Sequence, residues 1–364
     1  MSRPNTKDYL NIFLNDIPLL DVRADVEFVK GAFPSSQNIP LLNDEQRCLV
    51  GTCYKEKGQD AAIDLGYELA TDEIKESRLA TWREYVAKYP TGYLHCFRGG
   101  LRSRISQEWL AESGIEYPIV QGGYKAMRTF LLEELQKNIR ERTFVMIGGR
   151  TGSGKTHVLK NLSNHVDLEG IAKHRGSTFG ATIQPQPAQI DFENEISIEI
   201  LKQIHAHKSP IFIEHEGSRI GHIHLPLELH TAMVNRNPLV ILETKTEERI
   251  AVCIQDYITE PYRDFQEAYG ELAHEKYSET ILGNLFQIQR RLGGDRYIVI
   301  KEQFTAALEK LKLGDSSGFE EPILSLLRDY YDPMYDYQLA KQKGKILFKG
   351  DKKSITQWAN TYQG

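Results

Sequence analysis

Residues 149–156, GRTGSGKT, constrain this chain of 364 residues more than any other stretch. They satisfy G-x-x-x-x-G-K-[ST] and sit between an apolar run, TFVMI, and an amphipathic one, KTHVLKNL, which is the strand–loop–helix context a phosphate-binding loop requires. The glycines let successive backbone N–H groups turn inward around phosphate oxygens, the helix start adds partial positive charge, and Lys155 reaches a terminal phosphate. Gly149, Arg150, Thr151, Gly152, Ser153, Gly154, Lys155 and Thr156 are therefore assigned to a phosphorylated ligand, with Thr156 on Mg2+ if a metal is used. Such a loop recognises a pyrophosphate group rather than a base, so ATP is one option among several. Beyond the loop, SPIFIEHEGSRIG offers Glu214 and Glu216 as acidic partners and VDLEGIAKHRGS offers Glu169, with Glu216 and Glu169 favoured, and His174, Arg175 and Ser177, in a glycine-bearing loop, are candidate phosphate contacts.

The same logic orders the rest of the chain. SPIFIEHE and PLVILETK are apolar runs separated by a helical pattern, as expected for parallel strands joined by crossovers. Upstream, PLLDVR, TGYLHC and YPIVQGG alternate with helical stretches and point to a smaller parallel α/β domain. Residues 124–142 read as the amphipathic helix that closes it. Past residue 255 the strand signals fade and helical patterns dominate, ending in a lysine-rich stretch, LAKQKGKILFKGDKK. The expected partition is 1–138, a first α/β domain; 139–305, a P-loop domain; and 306–364, a helical, lysine-rich C-terminal region.

Net charge is −5, which argues against a general coat for nucleic acid but leaves room for a local basic face. The four cysteines, Cys48, Cys53, Cys96 and Cys253, show neither CxxC pairing nor a zinc-site spacing, so a reducing cytoplasm and no structural metal are expected. No window approaches the ~18 uninterrupted apolar residues of a membrane span, and no targeting segment is legible.

Cys96 stands apart from the other thiols. In HCFRGGLRS it follows a strand, precedes two glycines and faces the start of the helix SRISQEWLAES, with Arg98 and Arg102 close in sequence. Helix-end charge and both arginines favour a thiolate nucleophile there. Cys253, on EERIAVCIQDY, reads as core, and Cys48 and Cys53 lack a basic cradle. HCFRGGLRS also satisfies HCx5R[ST], the tyrosine-phosphatase signature, in which Arg102 would hold a phosphoryl group bidentately. A rhodanese-type sulfurtransferase uses a similar cysteine loop to hold a persulfide. Loop length favours phosphate, and both readings stay open at this point.

The upstream segment LLDVRADVEFVKGAFPSSQNIPL resembles the rhodanese pattern through Asp21, Arg23, Glu27, Phe28, Gly31, Asn38, Ile39 and Pro40. A rhodanese-like domain with CFRGGLRS, then GGRTGSGKT, VDLEGIAKHRGSTFG, IEHEGSRIG and QRRLGG in this order, with VGTCYKEKG upstream, resembles the tRNA 2-selenouridine synthases over most of the chain. The resemblance implies a transferase that replaces sulfur by selenium in wobble 2-thiouridine of certain tRNAs. It further implies selenophosphate as donor, an S-geranylated intermediate made from geranyl diphosphate, and Cys96 as the essential thiol. The P-loop would then hold the prenyl diphosphate and the cysteine loop the selenophosphate. A nucleotide-binding sulfurtransferase or cysteine phosphatase is the alternative. For the anticodon arm, residues 341–353, the tyrosines of 330–337 and Arg290 with Arg291 are candidate contacts, since single-stranded bases stack on aromatics and arginines.

Overall fold

A computed structural model describes residues 3–363. The chain divides into two compact units, Met1–Lys137 with Ala188–Lys202, and Asn138–Pro187 with Gln203–Gly364.

In the first unit, β1 (Leu19–Asp21), β2 (Ser36–Asn38) and β3 (Tyr93–His95) form a parallel sheet in the order β2-β1-β3. The expected strand around YPIVQGG shortens to isolated bridges of Ile119 with Leu94 and of Val120 with Thr6. Leu19 and Leu20 are fully buried, and Trp82, Leu94, Trp109 and Leu110 extend the core. A buried Asp21–Arg23 ion pair of 2.6 Å lies beneath the sheet's C-terminal edge, its guanidinium 4.0 Å over the Tyr124 ring and donating to Gly31 O. Residues 188–202, expected in the P-loop domain, belong to this unit. Ile198 and Leu201 pack with Ile12, Phe13 and Met127, and Asp191 accepts from Ala32 N at 2.7 Å.

The second unit is built on a five-stranded, all-parallel sheet, β10-β9-β4-β6-β5. Its strands are β4 (Phe144–Gly148), β5 (His165–Val166), β6 (Ile211–Glu214), β9 (Leu239–Leu242) and β10 (Ile346–Gly350), and a small hairpin pairs β7 (Arg219–Ile220) with β8 (Ile223–His224). β4, β6 and β9 are buried along their whole length, as both-faces-covered parallel strands must be. β4 lies at the centre, so the loop leaving its C-terminal end opens where ligands bind in such sheets.

The C-terminal region is not the separate helical body expected. Residues 346–350 form an edge strand beside β9, and Ile355 and Ala359 on the helix Lys352–Thr361 cover the same core as Val145, Ile147 and Val240. ILF carries strand propensity that the surrounding lysines mask. Between β9 and β10 runs a bundle that includes the helices Thr246–Ile254, Glu260–Tyr269, Ala273–Gln287 and Gly294–Lys312, with a core of Tyr277, Leu285, Phe304 and Phe319.

Candidate active site

In the first unit Cys96 leaves β3 and enters a loop that ends at the helix Leu101–Glu112. That loop is braced from below by the start of the helix Gly123–Glu141. Tyr124 N donates to Cys96 O and Lys125 N to Phe97 O, both at 2.9 Å. Gly99 (φ +59°) and Gly123 (φ +59°) allow this approach, for a Cβ on Gly123 would lie 2.3 Å from Cys96 O. The bracing segment, QGGYK, overlaps the run YPIVQGG, which the sequence marks as a strand and not as a support for the cysteine loop.

Cys96 is 3% exposed, with its side chain against the core, yet it lines the wall of a cavity of about 710 Å3 together with Arg47, Lys55, Arg98, Arg102 and Arg104. Arg98 is exposed at the rim. Arg102 is engaged, its guanidinium donating to both oxygens of Glu27 at 2.5 and 3.0 Å. Burial by itself would raise the Glu27 pKa, but Arg102 outweighs it and holds the carboxyl below its ordinary range. His95 behind the loop is fully buried, its Nδ1 3.3 Å from Cys96 O. Burial pushes its pKa down, against the pull of Asp21 at 3.8 Å, so the ring is held neutral. Cys48 and Cys53 lie on the helix Asp44–Lys57.

In the second unit, Gly152 (φ +76°) and Gly154 (φ +82°) take left-handed conformations, and Lys155 begins the helix Lys155–Leu159 with its Nζ donating to Gly149 O at 3.2 Å. Thr156 Oγ1 donates to Glu169 Oε2 at 3.0 Å. A cavity of about 250 Å3 opens over Gly152, Gly154, Lys155 and Thr156, bounded also by Glu169, His174 and Arg175. Arg175 pairs with Glu260 at 2.8 Å, while burial, and then His222, lower the His174 pKa. The Arg150 guanidinium turns to Asp336 at 2.8 Å and Asp332 at 3.5 Å, Ser153 is buried, and Thr151 O accepts from Arg249 Nε at 2.9 Å.

Three carboxylates converge beside the loop. A Cβ on Gly176 would lie 2.3 Å from Glu169 Oε1 and 3.1 Å from Glu216 Oε2, and Glu214, sealed at the end of β6, accepts from Leu168 N at 2.7 Å. Burial first, then the neighbouring carboxylates, raise Glu169 to about 8 and Glu214 well above its ordinary value. Glu216 is also raised, by burial against the lowering effect of Lys155. Glu214, offered by the same run as Glu216, closes the end of β6 next to β4. Among the described residues no cluster of three His, Cys, Asp or Glu side chains is arranged to hold a metal by itself.

Next to this cavity lies a slot of different character. Thr151 and Ser177 border it, and Cys253, Tyr257, Phe304, Leu327 and Tyr331 make its walls. Tyr257 lines both spaces. Two π-helical turns, Gln255–Thr259 and Leu327–Tyr331, supply Tyr257, Ile258, Leu327 and Tyr331, in keeping with the frequent use of such turns at functional sites. Ser177 Oγ and Tyr331 OH are 2.8 Å apart, and burial pushes the Cys253 thiol up to about 12. Tyr330 and Tyr331 are thus buried around the P-loop rather than displayed for base stacking, while Tyr337 is 63% exposed. Lys352, expected on a free basic face, has its Nζ 2.9 Å from where a Cβ would stand on Gly154.

A family model described as the tRNA 2-selenouridine synthase AAA domain matches residues 142–364. The tRNA 2-selenouridine synthase of Marinobacter nauticus is 50% identical over 362 residues, covering 99% of this chain and 98% of its own. The chain belongs to the tRNA 2-selenouridine synthases. Relatives of the same name in Hahella chejuensis (46% identical; 96% of this chain, 93% of the relative) and Alcanivorax borkumensis (45%; 99% of each) agree. As a member of this family it is a tRNA-modifying transferase. Among the described residues no helix is long and apolar enough to cross a membrane.

Proposed function

We propose that the chain converts wobble 2-thiouridine of tRNA to 2-selenouridine in two steps, one in each unit, with geranyl diphosphate and selenophosphate as co-substrates. In the first step the thiocarbonyl sulfur attacks C1 of the geranyl group, the C1–O bond breaks, diphosphate leaves, and the base loses its N3 proton to solvent. Lys155 and the loop backbone take up the charge that develops on the leaving diphosphate. In the second, selenium of selenophosphate attacks C2 of the base, geranylthiolate departs and is protonated, and water removes the phosphoryl group from selenium as phosphate. Cys96, with Arg98 and Arg102, lines the cavity that holds selenophosphate for this attack.

The observation that carries this reading is the apolar slot beside the P-loop. The cavity at Lys155 is lined by polar side chains, whereas the adjoining slot is walled mostly by aromatic and aliphatic ones, which suit an alkyl group attached to a diphosphate. A prenyl diphosphate would place its anionic part in the polar cavity of about 250 Å3 and only part of its alkyl chain in the slot, which is about 30 Å3. A magnesium ion on the diphosphate would be held by Thr156 and Glu169, 3.0 Å apart, beside two further buried carboxyls, Glu214 and Glu216, whose deprotonated forms a cation would favour. It would supply charge neutralisation of the leaving group.

The test is an incubation of the full chain with 2-thiouridine tRNA and geranyl diphosphate, then selenophosphate, followed by nucleoside analysis. S-geranyl-2-thiouridine should accumulate without selenophosphate and give way to selenouridine with it. Selenouridine formed at full rate without geranyl diphosphate would refute the two-step route.

A further inference from the structure

The Cys96 cavity has an apolar annex of its own. A slot of about 70 Å3 opens among the helices Asp44–Lys57, Gln59–Leu69 and Leu101–Glu112, reaching from Leu41 and Gly66 to Ile105 and Trp109. Five residues, Val50, Ala62, Ile63, Leu101 and Arg102, line both this slot and the cationic cavity, so the two spaces adjoin. Arg102, tied to Glu27, stands at the junction. Leu101 and Tyr67, which line the slot, remain 38% and 51% exposed. Selenophosphate is small and wholly polar; it fills neither a slot of this kind nor a cavity of about 710 Å3. A ligand that fits carries an anionic or polar part toward Cys96 and an alkyl part away from it.

We propose that this slot receives the alkyl group of the S-geranyl-2-thiouridine intermediate while its base lies in the Cys96 cavity, giving the chain a prenyl-binding site in the first unit besides the one at the P-loop. The inference rests on the two-step reading above. The far end of the chain occupies the slot, and the carbons next to sulfur lie in the wider cavity. Recognition of the alkyl group selects the S-alkylated base over unmodified 2-thiouridine. It also gives the departing geranylthiol an apolar surface to leave along.

Gly66 offers a clean test, because a Cβ added there meets nothing within 4 Å. Gly66→Leu fills the slot, and Gly66→Ala is the graded control; thermal melting establishes that each variant is folded. The substrates are anticodon-loop oligonucleotides carrying S-geranyl- or S-methyl-2-thiouridine, supplied with selenophosphate. The wild-type chain should prefer the S-geranyl substrate. Gly66→Leu should lower its kcat/KM on that substrate at least tenfold, mainly through KM, and so narrow the preference over S-methyl, with Gly66→Ala between the two. If folded Gly66→Leu keeps the wild-type preference, the slot assignment is overturned while the two-step reading stands. If the wild-type chain converts neither S-alkyl substrate, both fall.

Discussion

Arg102 stands where a phosphatase would grip its phosphoryl group, yet both of its outer nitrogens are spent on Glu27. A carboxylate in that position competes with any incoming anion and keeps the cavity from holding its product tightly. Glu27→Gln removes the competing charge while keeping the shape. Titration with thiophosphate, an analogue of selenophosphate, should show about tenfold tighter binding, ~1.4 kcal/mol; unchanged affinity would mean that the anion does not meet Arg102. At the other cavity the Lys155 ammonium donates to Gly149 O, a neutral acceptor that a ligand oxygen can replace. Lys155→Ala should reduce geranyl transfer by roughly 10²–10³, the usual loss for one preorganised charge on a leaving group. Its melting temperature should stay within a few degrees of wild type, since no buried ion pair is broken. Lys155, Thr156 and Cys96 were identifiable in the sequence because glycine spacing and a neighbouring helix start announce them. Glu27 was visible only as part of a pattern, and its pairing with Arg102, 75 positions away, could not be read from either segment.

At the level of elements, the two loops are shaped differently. The P-loop is bounded by elements remote in sequence: Arg249 reaches Thr151 O from the helix Thr246–Ile254, and Arg150 is drawn to Asp332 and Asp336 on the helix Asp332–Ala340. The cysteine loop is braced by two glycines and two backbone hydrogen bonds from the segment that starts the next helix. Gly123→Ala puts a methyl 2.3 Å from Cys96 O in a left-handed conformation. It should destabilise the first unit by roughly 1–3 kcal/mol, measurable by denaturant unfolding, and should impair selenium incorporation while sparing geranyl transfer. Strand–loop–helix order was legible for β3, β4, β6 and β9, because each is a continuous apolar run ending in a turn. β10 was hidden because Lys345 and Lys349 flank a run of only three apolar residues, ILF, and its strand character comes from lying beside β9. The two π-helical turns leave no mark in composition or spacing.

For the molecule as a whole, the carboxylates beside the P-loop set a pH dependence. Glu169 is raised to about 8 in the folded chain and Glu214 and Glu216 are raised as well, so above the ordinary carboxyl range the folded state holds protons that the unfolded chain has released, for Glu169 up to about pH 8. Their stabilising contribution is fully present below the unfolded pKa and is lost as pH rises toward 8. The ligand-free protein should therefore melt progressively lower from pH 5 to pH 8.5, and Glu214→Gln should flatten that decline. Magnesium with pyrophosphate should restore more stability at pH 8 than at pH 5, because the cation compensates charges that are absent in acid; equal protection at both pH values would place the ion elsewhere. From its sequence alone the chain was determined to be a parallel α/β protein with a glycine-rich loop before one helix and a cysteine loop before another, since glycine spacing and apolar runs are local properties. The tertiary structure decided what surrounds them. It made a carboxylate cluster from separate segments, withdrew Arg150 and Arg102 into ion pairs, turned Tyr330 and Tyr331 inward, and set an apolar slot beside each of the two cavities. Those features arise from contacts between residues up to 186 positions apart, and no local pattern encodes which distant side chain will share a cavity.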